Sequence, residues 1–144
     1  MEPRITVITL GVRDVERTRR FYVDGLGWPV RLVAPGEVLM LDIAPGFVLS
    51  LWDLEHMRAE IGPVGATATA PMTLAHNVAG PDAVLSVLAE AVAAGATLVS
   101  PGQPREWGGF SGYFADPDGH RWEVAHNPSW TVDARGAVLD VDET

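Results

Sequence analysis

Two punctuation marks for a helix recur in this chain at one spacing. Asp14 precedes a run with apolar residues at helical intervals and Gly27 follows it; Asp82 and Gly95 bracket a second such run. The aspartates and the glycines are each 68 residues apart. Aspartate suits an N-cap because its carboxylate accepts from the first free backbone N–H groups. Glycine suits the stop because it takes positive φ without a Cβ penalty. Both marks repeating at one offset point to an internal duplication, which limits the chain to folds made of two copies of one motif.

Each copy reads as a strand, a helix and three further strands. In the first, residues 5–12 are rich in β-branched side chains, and the helix over 15–24 carries Val15, Thr18, Phe21 and Tyr22 on one stripe. Extended segments at 30–34, 38–43 and 47–51 follow, separated by Pro35-Gly36 and Pro45-Gly46. In the second, a strand at 72–78 precedes a helix capped by Asp82 and running through Val84, Leu88 and Ala91. Strands at 96–100, 111–115 and 121–126 complete it. The expected fold class is α+β: two βαβββ modules, 4–53 and 71–127, forming a curved mixed sheet within a single domain of 144 residues. Residues 54–70 read as a linker that opens with a short helix at 54–61, and 128–144 as a C-terminal tail with a turn at Ala134-Arg135-Gly136 and loosely held last residues. One helix covers only one face of a four-stranded sheet. Two modules would therefore leave two bare faces free to curve into a shared concave cleft, a natural ligand site.

The formal net charge of −9 argues against a nucleic-acid partner, which needs clustered Lys and Arg. The short cluster Arg17, Arg19 and Arg20 reads as a solvated helix face. An acidic surface tolerates or attracts a cationic ligand. Without cysteine there is no disulfide, thiolate nucleophile or thiolate metal site. The start Met1-Glu2-Pro3-Arg4 leads directly into a strand without a signal-peptide pattern, and no run nears the roughly 18 apolar residues of a membrane span. The expectation is a cytoplasmic protein with a small-molecule partner and no membrane partner.

Phe114 to Val124 reads as strand, tight turn and strand. Pro117 presets φ, Asp118 can bond its own backbone, and Gly119 accepts positive φ. Glu123, between Trp122 and Val124, must then point into a cavity or onto a wet face.

These residues resemble the vicinal oxygen chelate superfamily, which includes glyoxalase I, bleomycin resistance proteins, fosfomycin resistance enzymes and extradiol dioxygenases. The resemblance runs over 5–127. It rests on Leu10-Gly11-Val12-Arg13-Asp14-Val15, Arg20-Phe21-Tyr22, Gly25-Leu26-Gly27-Trp28, Ala93-Ala94-Gly95-Ala96 and the Asp116-Pro117-Asp118-Gly119 turn with Glu123. Metal-dependent members are similar in placing His or Glu at one cavity-facing position in each of four strands. The matching positions here hold Val7, Ser50, Thr73 and Glu123. Val7 cannot ligate, and hydroxyls are poor donors to a divalent ion beside imidazole or carboxylate. The expectation is no conventional metal centre and no cofactor. Strand parity turns His120 and His126 away from Glu123 and places His76 in the core, while His56 falls in the linker. The resemblance, with the exposed sheet edges, also implies a homodimer.

Parity supplies the lining of the expected cleft: Val7 and Thr9 from the first strand, Val48, Ser50 and Trp52 around the fourth, Thr73, and Tyr113 and Glu123 from the last two strands. Arg121 is expected near the mouth. Trp107 sits on a Gly-flanked loop as a lid or as packing. Tyr113 matches a position that resembles a substrate-contacting tyrosine of fosfomycin resistance enzymes. Glu123 has three readings: a general base, an anion paired with a cationic ligand or Arg121, or a structural acceptor for Ser50 or Thr73. The leading expectation is a protein that binds a small aromatic or cationic organic molecule without a conventional metal centre, similar in logic to the bleomycin resistance proteins. The alternative is a glyoxalase-like lyase or isomerase, or a dioxygenase-related enzyme, using Glu123 as base or metal ligand.

Overall fold

The computed structural model describes residues 1–65, 70 and 72–141, and the chain divides into two units, Met1–Ala68 and Thr69–Thr144. In the first, strand β1 (Val7–Val12) leads through the N-cap Asp14 into α1 (Val15–Arg19), which continues as a π-helical turn over Arg20–Gly25. The Asp14 carboxylate accepts from the Arg17 N–H at 3.0 Å, as its position before the helix requires. The wide turn replaces the expected plain α-helix. It accompanies burial of the consecutive aromatics Phe21 and Tyr22, whose rings meet edge to face at 4.8 Å. Strands β2 (Val30–Ala34), β3 (Val38–Ala44) and β4 (Phe47–Asp53) complete a sheet of order β1-β4-β3-β2, with β1 parallel to β4. Its core is made of Leu10, Val12, Leu39, Leu41, Leu49 and Leu51, all buried on the α1 side.

Residues 54–61 do form a helix, α2 (Leu54–Ile61), and it packs back on the sheet rather than only leading away from it. A Cβ at Gly11 would lie 2.8 Å from Leu54 Cδ1 and 3.1 Å from Met57 Sδ. Gly11 shares its face with Val7 and Thr9, so α2 covers one end of the face that α1 leaves bare.

In the second unit β5 (Leu74–Asn77), α3 (Pro81–Ala94), β6 (Thr97–Pro104), β7 (Phe110–Ala115) and β8 (Arg121–His126) give a sheet of order β5-β8-β7-β6, with β5 parallel to β8. Val84, Leu88 and Ala91 of α3 are buried, as are Phe114, Trp122 and Val124 of the sheet. Phe114 and Trp122 stack with ring centroids 6.1 Å apart. Two expectations change here. The N-cap of α3 is Gly80, not Asp82, because Pro81 with its fixed φ occupies the first turn and moves the start forward. Asp82 instead places its charge at the positive end of the helix. The 68-residue offset survives only in Gly27 and Gly95, which have φ of 73° and 114°. His76 is exposed rather than in the core, because β5 is an edge strand and α3 packs chiefly on β6, β7 and β8.

The tail returns as a hairpin of β9 (Trp130–Val132) and β10 (Val138–Val141) around Gly136, φ 84°. The expectations for the last residues, 142–144, for 66–69 of the linker and for 71 at the start of the second module lie outside the described residues. Among the described residues no helix is long and apolar enough to cross a membrane.

Candidate functional site

The turn between β7 and β8 sets the register that aims Glu123. Asp116, not Asp118, closes it: one carboxylate oxygen accepts from the Asp118 and His120 amides, each at 2.9 Å. An aspartate bonds most readily to the amide two residues on, which at this turn selects the first aspartate of the motif. Gly119, with φ of 87°, completes the reversal. Tyr113 then pairs with Glu123, and Ser111 with Ala125, across the two strands. On the other side Ala75 pairs with Glu123 and Asn77 with Ala125. All of these side chains point away from α3, opposite to Trp122 and Val124.

Glu123 Oε1 accepts the Tyr113 hydroxyl at 2.7 Å. Burial holds the Tyr113 phenol above its ordinary value of 10.0, and the hydrogen bond to Glu123 and that carboxylate's charge push the same way. The positive charge of Arg105 opposes them. Its guanidinium carbon stands 5.6 Å from the centroid of the Tyr113 ring. Arg105 is braced by Ser111, with Nε donating to the hydroxyl at 2.9 Å and Nη2 to the carbonyl at 3.0 Å.

Beside Glu123 the second unit has a pocket of about 330 Å³. Ala75 and Ala125 flank the carboxylate, Asn77 and Asn127 add carboxamides, and Trp107 and Trp130 supply indoles. Trp107 is carried by the turn between β6 and β7, held by Gly108 N–H to Arg105 O at 3.0 Å and Arg105 N–H to Gly109 O at 2.8 Å. A Cβ at Gly109 would fall on the Trp107 ring, so only glycine lets the indole lie there. Trp130 is brought back by a second aspartate-like turn: Asn127 Oδ1 accepts from the Ser129 N–H at 3.0 Å, and Asn127 O from the Trp130 N–H at 3.1 Å.

Of the residues expected in a cleft, Glu123 and Trp107 line this pocket and Tyr113 touches it through Glu123. Thr73 is exposed and its hydroxyl donates to the Arg121 carbonyl at 3.3 Å. Arg121 turns toward the Gly119 carbonyl at 3.0 Å instead of pairing with Glu123, because the glycine turn presents that acceptor to it. In the first unit Val7 lies opposite Val48, Thr9 opposite Ser50 and Gly11 opposite Trp52 on one sheet face, as parity requires. Val7 and Thr9 are exposed, Trp52 is half-buried, and Val48 and Ser50 are buried. Asn127 and Trp130 were missed as site residues. Continuing the alternation of Glu123 through Ala125 to Asn127, and reading Asn127-Pro128-Ser129 as a turn, would have found them.

At the four positions where the resemblance implies metal ligands, the donors do not fit a divalent ion. Val7 offers none, Ser50 and Thr73 offer hydroxyls, and the Glu123 carboxylate already accepts a phenol. Among the described residues no three His, Asp or Glu side chains gather as a metal-binding group.

The family model for the Glyoxalase/Bleomycin resistance protein/Dioxygenase superfamily matches residues 4–124. The chain is 39% identical to a glyoxalase-related enzyme from Fulvimarina pelagi, whose crystal structure aligns at a TM-score of 0.86 over 98% of this chain and 100% of that one. A glyoxalase/bleomycin resistance protein/dioxygenase from Nocardioides aligns at 28% identity and a TM-score of 0.70, over 88% of this chain and 84% of that one. Lactoylglutathione lyase from Agrobacterium tumefaciens aligns at 21% identity and a TM-score of 0.68, over 90% and 98%, a likeness of fold alone. No curated protein matches the chain. The expected α+β class agrees with these neighbours.

Proposed function

Because the chain belongs to the Glyoxalase/Bleomycin resistance protein/Dioxygenase superfamily, we propose that it acts as one of its binding members, taking a small organic cation with an aromatic part and using no conventional metal centre. The observation that carries this reading is the composition of the pocket beside Glu123: one carboxylate and two indoles in a single lining. Indole faces attract a cation through their quadrupole and stack on aromatic rings, and a nearby carboxylate adds a charge that favours cation over neutral molecule. The volume of about 330 Å³ suits a small ligand. Nine excess negative charges add long-range attraction for the same partner.

The test uses phenyltrimethylammonium and its neutral analogue tert-butylbenzene, followed by Trp fluorescence and calorimetry. The cation is expected to bind more tightly, and Glu123→Gln to weaken it by roughly tenfold, about 1.4 kcal/mol. Equal affinity for the two compounds, or no binding of the cation, overturns the reading.

One observation favours a second reading, a glyoxalase-like lyase or isomerase. The Tyr113 phenol and the Glu123 carboxylate form an acid–base pair at 2.7 Å, with the second carboxylate oxygen available to take a proton. Proton exchange into D₂O at a carbon beside a substrate carbonyl, lost in Glu123→Gln, would mark that activity.

A further inference from the structure

Arg105 and Glu123 both meet Tyr113, as opposite charges without ionic partners among the described residues. Glu123 takes the phenol hydrogen, and the Arg105 guanidinium lies over the ring face. Among the described residues neither forms an ion pair, although the chain has 19 acidic residues against 10 basic ones. Ion pairs among the described residues are made elsewhere, as by Arg19 with Asp24, Arg31 with Asp42 and Arg58 with Glu55. A half-buried guanidinium that meets only neutral acceptors keeps its charge available to an incoming anion.

The neutral acceptors leave it oriented. Ser111 takes Nε and Nη2, and the Ser100 hydroxyl lies 3.4 Å from Nη2. Nη1 has no hydrogen-bond partner among the described residues. Fixing one edge of the fork aims the other, which is how arginine is prepared for a carboxylate or phosphate group. Arg105 lies outside the lining of the pocket but opens the turn that carries Trp107 to it. A purely cationic ligand beside Glu123 would be repelled by this guanidinium, whereas a ligand bearing an anion at its far end would be attracted by both charges.

We propose that the ligand is a zwitterion, with its cationic end at Glu123 and the indoles and its carboxylate-type anionic end at Arg105. This rests on the cation-binding reading above and narrows it to amphoteric molecules that span about one tyrosine side chain.

Three rigid probes separate the possibilities: benzylamine, 4-methylbenzoate and 4-(aminomethyl)benzoate, titrated by calorimetry at pH 7 at low and moderate salt. The zwitterion is expected to bind at least tenfold more tightly than benzylamine, and 4-methylbenzoate most weakly. Arg105→Gln is expected to bring the ratio of zwitterion to benzylamine affinity close to one, and Arg105→Lys to retain part of it. Circular dichroism checks that each variant is folded. The Lys variant, which keeps the charge, carries the test if the Gln variant is not folded; a ratio it leaves at the wild-type value counts against Arg105 as a fork. Benzylamine binding as tightly as the zwitterion overturns this inference and leaves the cation reading standing. Failure of both amines overturns both. A loss in Arg105→Gln that is equal for the two amines shows that the residue only braces Ser111, and also overturns it.

Discussion

The hydrogen bond between Tyr113 and Glu123 is the contact on which the pocket's chemistry depends, and its strength can be measured without a ligand. At 2.7 Å from hydroxyl to carboxylate oxygen it is short enough to be charge-assisted. Hydrogen bonds to charged groups contribute roughly 1.5–3 kcal/mol. Both residues are half-buried, so water competes for each and the coupling falls to about 1 kcal/mol. The perturbation is a double-mutant cycle of Tyr113→Phe and Glu123→Ala. The phenylalanine keeps the ring under Arg105 and removes only the hydroxyl. The change at Glu123 alters the pocket equally in both backgrounds and cancels. Urea unfolding at pH 7 is the assay. With an m-value of about 2 kcal/mol/M, Tyr113→Phe shifts the midpoint down by roughly 0.5 M. In the Glu123→Ala background the same substitution has little effect. A coupling energy below about 0.3 kcal/mol, within ordinary additivity, refutes the claim that this contact orders the carboxylate.

Titration gives a second view of that contact. Tyr113 is held above 10.0 by burial first and by Glu123 next, so Glu123→Gln lowers its midpoint in a 295 nm absorbance titration, read as the difference from Tyr113→Phe. A raised folded-state value means that stability from this group is intact below pH 10, and falls as pH climbs from there through the folded midpoint; Tyr113→Phe removes that part of the alkaline loss. At the acid end, burial works against the charge of Asp53, but bonds from the His56 amide and imidazole outweigh it and lower its pKa below 3.8. Stability from Asp53 is therefore present above pH 3.8 and lost as pH falls through the lower folded value, and His56→Ala raises the acid-unfolding midpoint. Gly109→Ala drives a methyl onto the Trp107 indole and to 2.7 Å from the His126 carbonyl. It should cost about 1–3 kcal/mol and red-shift Trp emission as the ring leaves its place; unchanged emission and stability would contradict the packing described.

The strands were legible because alternation survives wherever one sheet face is covered. Val7 and Thr9 fall on one side of β1 and Leu10 and Val12 on the other, as the pattern of side chains dictates. Residues 54–61 and 121–126 match their helix and strand to the residue, since each is bounded by turn chemistry. The start of α3 was misread because aspartate serves equally well at the N-cap and in the first turn, and only Pro81 separates the two. His76 was misread because parity assigns a face without saying whether that face is covered. The same gap hid Trp130. Nothing in alternation says that a chain leaving β8 will double back within three residues, and that return depends on one Asn127 side chain satisfying the Ser129 amide.

The resemblance implies a metal ligand at the position of Glu123, and the chemistry of the residues around it determines what remains open to it. A divalent ion needs several strong donors at about 2.0–2.2 Å and in a fixed geometry. An organic cation needs only a nearby negative charge and polarisable faces within about 6 Å, and it tolerates the imprecision of an open pocket. Val7, Ser50 and Thr73 do not supply such donors, whereas the cation reading proposed above asks only for the charge of Glu123 and the indoles of Trp107 and Trp130 in the same lining. Tyr113 sharpens the difference. Its proton occupies one carboxylate oxygen, which weakens the group as a bidentate metal ligand while keeping its full charge for a cation at the other oxygen. Replacing Tyr113 by phenylalanine should therefore return an acceptor to Glu123 without restoring a metal site, because Val7, Ser50 and Thr73 still offer no strong donor.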